Sequence, residues 1–170
     1  IATANAALQA IEEMGTPDEV LPYKGEALLC RAYAHLCLTM IYCLPYHPEY
    51  ASEYLGVTYM DKPETTLNPR YTRGTLQEDY EKIGRDIEAA LPLIDDEAYS
   101  VPKYHFNKKA AYALATRFYI YSNQWQKAVD AAVEQIKKNS QAVNGSKDIE
   151  RVAGCRTSWK ELRFCPSGRV

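Results

Sequence analysis

Cysteine and histidine side chains concentrate in one apolar stretch, residues 25–46, which reads GEALLCRAYAHLCLTMIYCLPY. Thiolate and imidazole groups ligate transition metals, and paired thiols support redox chemistry. The spacing argues against both uses. Cys30 and Cys37 are two helical turns apart, roughly 10 Å along a helix axis, whereas a disulfide requires Cα atoms within about 7 Å. Because the sequence also lacks a CxxC motif, we expect Cys30, Cys37 and Cys43 to be small buried hydrophobic residues.

The other side chains with catalytic potential form no recognisable constellation. The three histidines, His35, His47 and His105, lie outside any HExxH motif, and the sequence contains no GxSxG, P-loop or GxGxxG. A metal pair of His35 with Cys37 is conceivable, but a hydrogen-bonded interface histidine is the simpler interpretation. The sequence therefore predicts no metal, no cofactor and no enzymatic activity.

Two arginines stand on otherwise apolar helical segments, at positions 31 and 117. A buried arginine is usually paired with a carboxylate, and Asp86 lies on the inward face of a third predicted helix. We predict a structural ion pair that involves Arg31, Arg117 and Asp86. Anion binding by the arginines is the alternative.

Tyrosine is the most over-represented residue, with 14 copies beside 3 Phe and 2 Trp. A tyrosine ring has a flat apolar face and a polar tip. That combination suits stacking against sugar rings, and it also suits protein interfaces. Alternatively, the rings pin a loop onto the helices. Six tyrosines lie at or within one irregular region: Tyr42, Tyr46, Tyr50, Tyr54, Tyr59 and Tyr71.

The elements that must position these side chains are helices. Apolar residues recur at helical spacing over residues 1–14, from about 18 or 23 to 43, over 75–91, over 108–122 and over 125–138. Thr75 and Glu78 form a capping-box pattern at the start of the third helix. Residues 44–74 have no period and contain several prolines and glycines, and a long loop of this kind is often functional. We find no convincing strand.

One short pattern repeats. ALxxRxY occurs at residues 27–33 and again at 113–119, and the second copy continues through Asn123-Gln124 into WxxA at 125–128. Small residues at this phase let two helices cross closely, while aromatic residues fill the space beside them. The sequence predicts an all-α fold of tetratricopeptide-like helical hairpins with long irregular loops.

Chain length and net charge limit the number of domains and the classes of partner. The chain has 170 residues, a formal net charge of −2 and a pI near 6.0. This size suits one domain, and the balanced charge provides no general attraction to nucleic acid. No apolar run reaches the roughly 18 residues expected of a membrane span. The chain starts at Ile1 without a visible signal peptide, which says nothing about compartment.

An ordered set of motifs resembles the SusD/RagB family, the outer-membrane glycan-binding lipoproteins of Bacteroidetes. The set spans residues 1–138. Its members, in order, are ANAALxxI at 4–11, GEALxxRAY at 25–33, Tyr42, PY at 45–46, GV at 56–57, RGT at 73–75, YxxIxxDIxxA at 80–90, KAA at 109–111, LAxRxY at 114–119 and WxKA at 125–128.

The resemblance implies a non-catalytic protein on the external face of the outer membrane. Such proteins bind an oligosaccharide or a starch-like polysaccharide and deliver it to a SusC-like TonB-dependent transporter. Their membrane attachment is an N-terminal lipid on a cysteine upstream of this chain. Loop aromatics cradle the glycan, so the resemblance points to Tyr46, His47, Tyr50 and Tyr54 as ligand contacts.

The sequence allows two interpretations of the C-terminal residues and two of the function. Residues 1–138 form the SusD-like helical region, while residues 139–170 are an unassigned tail or the start of a C-terminal portion that family members carry. The alternative function is a helical-repeat adaptor that binds another protein without binding glycan, since the hairpins alone are enough for that role.

Overall fold

Five α-helices make up the part of the chain that the structure describes. A computed structural model of the protein describes residues 1–67 and 69–140. The helices are α1 (Ala2–Glu13), α2 (Leu21–Tyr42), α3 (Leu76–Ala90), α4 (Lys108–Tyr121) and α5 (Trp125–Ser140). In this part of the chain the β-structure is limited to one isolated bridge between Leu55 and Thr75. The predicted all-α fold is confirmed. Most of the predicted tail, from residue 141 on, lies outside the described residues, as do Cys155 and Cys165.

Local signals set the ends of the helices. Gly15 follows α1 with a φ of 79°, a conformation that glycine adopts without strain. At the start of α3 both bonds of the capping box are present, from the Glu78 amide to Thr75 Oγ1 and from the Thr75 amide to Glu78 Oε2, each 3.2 Å long. The side chain of Asn107 caps α4 by accepting from the Ala110 amide at 2.9 Å. These starts agree with the sequence-based prediction.

The helices pack around one apolar core. The long helix α2 packs on α1 and α3, and α4 packs on α5. The turn between α4 and α5 is tight because Asn123 adopts a left-handed conformation, with a φ of 59°. Fully buried apolar side chains from three helices meet at the centre: Leu29, Leu36, Leu76, Ile83, Ile87 and Phe118. Small residues on α4 and α5, including Ala115 and Ala128, are also buried, as the tetratricopeptide-like pattern requires.

The prediction of buried cysteines is wrong for Cys30, which is exposed, and Cys37 and Cys43 are only half-buried. Each residue turns the helix by about 100°. Leu29 and Leu36 point into the core, so the positions that follow them, Cys30 and Cys37, lie to one side of it. None of the described helices is both long enough and apolar enough to cross a membrane.

Candidate functional site

Three aromatic rings form a row just beyond α2. We call residues 47–54 the aromatic turn. Its backbone folds like a short piece of helix, because the amides of Ala51 and Tyr54 donate to the carbonyls of His47 and Tyr50 at 2.9 and 3.2 Å. His47, Tyr50 and Tyr54 are therefore three and four residues apart on one face. Ring centroids are 5.2 Å apart for His47 and Tyr50 and 6.2 Å apart for Tyr50 and Tyr54.

The row is accessible from solvent. Tyr50 is 47% exposed and His47 is exposed, whereas Tyr54 is half-buried and packs against the core. Adjacent rings in the row are tilted by 34° and 30° rather than coplanar, so they present a curved apolar surface. Two exposed carboxylates, Glu49 and Glu53, lie on the same turn. The surface thus combines ring faces with hydrogen-bond acceptors.

Tyr46, the fourth residue expected at the ligand, has different neighbours. Its half-buried ring packs on Tyr80 with centroids 4.4 Å apart, and Tyr80 stacks on Phe118 in the core at 5.9 Å. Burial raises the pKa of Tyr46 above its ordinary value. The structure brings His47, Tyr50 and Tyr54 together, while the ring of Tyr46 forms a link between the loop and the core.

The aromatic turn is bonded to the first turn of α3. The amides of Leu76 and Gln77 donate to the carbonyls of Tyr54 and Ala51 at 2.8 and 3.0 Å. The first amides of a helix have no partner within the helix, so the loop supplies the missing acceptors. The Ala51 side chain is fully buried at this junction. The start of α3 therefore fixes where the aromatic turn lies.

A buried carboxylate fixes the residues that follow. Asp79 Oδ2 accepts the Val57 amide at 2.5 Å. Gly56 approaches so closely that a Cβ at this position would lie 2.1 Å from Asp79 Oδ2. Arg73 closes the junction from the other end of the loop, since its Nε donates to the Gly56 carbonyl at 2.5 Å.

An ion pair holds the next part of the loop. Arg31 donates to both carboxylate oxygens of Asp86, from Nε and Nη2, at 2.7 Å each. The Tyr59 hydroxyl donates to the same carboxylate at 2.6 Å. Burial, followed by the bond to Asp86, raises the pKa of Tyr59 well above its ordinary range, so its hydroxyl remains a donor. Tyr59 thus holds the loop onto the helices, which is the alternative role considered above for the tyrosines.

The contacts of Asp79 form one anchor of the loop, and the Arg31–Asp86 pair with Tyr59 forms a second. His35 and Asn5 complete the second anchor. The Met60 amide donates to His35 Nε2 at 3.0 Å, and His35 Nδ1 lies 2.9 Å from the Arg31 carbonyl. These partners require the neutral tautomer with the proton on Nδ1. Burial lowers the pKa of His35, and the charge of Arg31 acts in the same direction. Asn5 donates to the carbonyls of Met60 and Lys62 at 3.0 and 3.2 Å. His35 is therefore a hydrogen-bonded core histidine.

Arg117 does not join the ion pair of Arg31 and Asp86. It is exposed on α4 and lines a shallow cleft with Tyr121 and Gln135. The neighbouring residue Phe118 takes the core-facing position, which directs Arg117 away from the interior. The repeated ALxxRxY pattern thus places its two arginines in different environments.

The third histidine lies on the loop before α4. His105 Nδ1 is 3.0 Å from Glu26 Oε1, and its ring stacks on Tyr99 at 4.4 Å. Among the described residues no group of three His, Cys, Asp or Glu side chains is arranged to hold a metal ion.

Sequence reasoning missed the two loop anchors. Asp79 and Asn5 are polar residues at core-facing helical positions, and that pattern was a usable signal. The spacing of His47, Tyr50 and Tyr54 was another signal, because three- and four-residue intervals place side chains on one face only if the segment is helical. Nothing local indicated which backbone groups these side chains would bond.

The first seven-tenths of the chain match a known family. A SusD-like family model, described as starch-binding and associating with the outer membrane, matches residues 1–120. Among curated proteins, no sequence matches the chain.

Solved structures give the same relationship. A SusD superfamily protein from Bacteroides thetaiotaomicron is 31% identical with a TM-score of 0.68, and the match covers 80% of this chain and 29% of that one. A SusD superfamily protein from Bacteroides vulgatus is 30% identical with a TM-score of 0.70, covering 82% and 31%. A protein from the same species described as sugar-binding is 26% identical with a TM-score of 0.69, covering 79% and 30%. The chain therefore spans about three tenths of the length of these relatives.

Proposed function

The chain belongs to the SusD-like family, and from that premise we propose that it acts in non-catalytic glycan binding at the outer surface of the outer membrane. The glycan is an oligosaccharide or a starch-like polysaccharide, and the protein passes it to a SusC-like TonB-dependent transporter. The family description, which names starch binding and the outer membrane, supports the first part.

The row formed by His47, Tyr50 and Tyr54 is the single observation that carries the binding proposal. Sugar rings present C–H faces that pack on aromatic rings, and their hydroxyl rims need hydrogen-bond partners. The aromatic turn offers both, since Glu49 and Glu53 are exposed beside the rings. We assign the ring contacts to His47, Tyr50 and Tyr54, with Tyr46 supporting the row from the core side.

Calorimetry on the full-length protein tests this proposal, with maltoheptaose as the first probe and a glycan array to widen the search. Tyr50→Ala removes the most exposed tyrosine of the row, and we expect roughly threefold to tenfold weaker binding. Tyr104→Ala is the matched control because Tyr104 is 86% exposed on a different loop. The proposal fails if no glycan binds, or if the two variants lose the same affinity.

A second candidate function is protein binding through the hairpins. Exposed apolar residues at the end of α2, including Met40 and Ile41, favour it. Affinity purification of the full-length protein from outer membranes distinguishes the two. We expect a TonB-dependent transporter, whereas a tight complex with another protein, together with no glycan binding, favours the adaptor.

A further inference from the structure

One buried carboxylate is out of place in the first turn of α3. An aspartate in the first turn of a helix is usually solvated, where it interacts favourably with the helix dipole. Asp79 is instead only 1% exposed. Burial raises the pKa of its carboxyl group above the ordinary value, which means that the surroundings disfavour the charged form. Burying a carboxylate costs free energy, so we expect its hydrogen bonds to offset that cost.

The contacts of Asp79 are directed at the loop rather than at the core. Oδ2 accepts the Val57 amide, and Gly56 lies against the same oxygen, with no room for a side chain. Gly56 donates its own amide to the Gly74 carbonyl at 2.9 Å. The carboxylate thus fixes the backbone two and three residues after Tyr54, the last ring of the aromatic row.

We propose that Asp79 is a positioning residue for glycan binding, which holds Gly56 and Val57 so that the aromatic turn keeps its rings in one row. This inference rests on the proposed function, because the turn is the proposed ligand surface. The chemistry is a charge-assisted hydrogen bond, stronger than one between neutral groups. This bond acts together with those from the Leu76 and Gln77 amides. As a result, the backbone is bonded to α3 at Ala51, Tyr54 and Val57.

Several charged or titratable groups surround Asp79. Glu78 and Lys82 come from the same helix, Arg73 from the far end of the loop, and Cys43 from the end of α2. Burial is the dominant influence and raises the pKa of Asp79, whereas the Val57 amide, Lys82 and Arg73 lower it. Protonation of Asp79 therefore begins at a higher pH than for an ordinary aspartate, and it converts the acceptor of Val57 into a weaker one.

The test compares Asp79→Asn with Glu81→Gln in the full-length protein. Both changes remove one negative charge from α3, but Glu81 is exposed. Amide hydrogen exchange of Val57 reports the anchor without any ligand, and calorimetry with maltoheptaose reports the function. We expect about tenfold faster exchange at Val57 and about tenfold weaker binding in Asp79→Asn, with an unchanged melting temperature. Glu81→Gln is expected to match wild type in all three.

Acidification of the wild type provides a second measurement that requires no variant to fold. Val57 exchange, corrected for its intrinsic pH dependence, is expected to accelerate as the pH falls through the raised pKa of Asp79, and Asp79→Asn is expected to lose that response. Wild-type affinity for maltoheptaose in Asp79→Asn overturns the inference. A Val57 exchange rate in Asp79→Asn equal to that in Glu81→Gln overturns it as well. If the wild type binds no glycan, the proposed function fails and the positioning inference falls with it. A wild type that binds beside an unaffected Asp79→Asn refutes the positioning role alone.

Discussion

Removal of the Asp86 carboxylate is the perturbation with the largest expected effect on stability. The side chains of Arg31 and Asp86 retain only 12% and 10% of their accessible surface. Asp86→Ala leaves the Nε and Nη2 donors of Arg31 and the hydroxyl of Tyr59 without their acceptor. Truncating one partner of a buried ion pair costs about 3–5 kcal/mol, because the other charge stays buried and unpaired.

The structure suggests the lower half of that range. Arg31 Nη1 keeps its bonds to Asn5 Oδ1 and the Asp61 carbonyl, at 3.3 and 3.2 Å, so the guanidinium still has two hydrogen-bond acceptors. At about 2–4 °C per kcal/mol for a domain of this size, a loss of about 3 kcal/mol lowers the melting temperature by roughly 6–12 °C. The same free energy should appear as a lower urea midpoint with an unchanged m-value.

Equilibrium urea unfolding of wild type, Asp86→Ala, Arg31→Met and the double variant provides the assay. Because the double variant buries no unpaired charge, it should be more stable than the sum of the single losses predicts, with a coupling free energy of about 1–3 kcal/mol. Asp86→Asn serves as a milder control that retains an acceptor for Tyr59. A loss below about 1 kcal/mol in Asp86→Ala, or additive losses in the double variant, would refute the reasoning.

Three further predictions concern the same loop and its anchors. Since burial lowers the pKa of His35 below its ordinary value near 6.5, the unfolded chain takes up a proton below that pH while the folded chain resists it. The free energy of unfolding should therefore fall as the pH falls from about 6.5, and His35→Gln should reduce this slope in urea titrations at pH 7.5 and 5.5. Gly56→Ala should cost about 1–3 kcal/mol or more, because the new Cβ would clash with Asp79 and with the backbone carbonyl of Thr75; a melting temperature within 1–2 °C of wild type would contradict this. Thr75→Ala should cost about 0.5–2 kcal/mol through loss of the cap, whereas Thr75→Ser should cost much less in the same thermal melts.

The helices could be predicted because their signals are local. Thr75 and Glu78 are three residues apart and satisfy each other's amides, so the start of α3 depends on nothing distant. The same holds for the Asn107 cap of α4 and for the left-handed turn at Asn123. The main error was the prediction that Cys30 is buried. Helix α2 is apolar on more sides than its neighbouring helices bury, so an apolar position on α2 is not always a core position.

The course of the loop could not be predicted, because its anchors are distant in sequence. The Arg31–Asp86 bonds join residues 55 positions apart, and the bond from Met60 to His35 spans 25 positions. Periodicity shows that Asp86 faces inward, but it does not indicate that Tyr59 shares its carboxylate. Arg117 illustrates the reverse problem, since it shares a motif with Arg31 but has the buried Phe118 beside it and lies exposed.

The buried polar side chains show where this sequence departs most from a simple helical core. Six are buried in the described part of the chain: Asn5, His35, Thr39, Asp79, Asp86 and Ser122. Thr39 and Ser122 donate to nearby backbone carbonyls, those of Leu36 and Tyr119, and neither of these bonds reaches the loop. The other four all bond residues 57–62.

That distribution bears on function. Buried polar groups contribute little net stability, and apolar replacements of similar size are often as stable, so helix packing alone does not explain four of them. Their shared effect is to give an irregular segment one defined path. A loop that served merely to connect α2 to α3 would not require such anchoring, because long surface connections are tolerated at a small entropic cost. Anchoring is expected where side chains must keep their geometry for a ligand. The polar residues within the helical core therefore favour the proposed role of the aromatic turn, at the start of this loop, as a ligand surface.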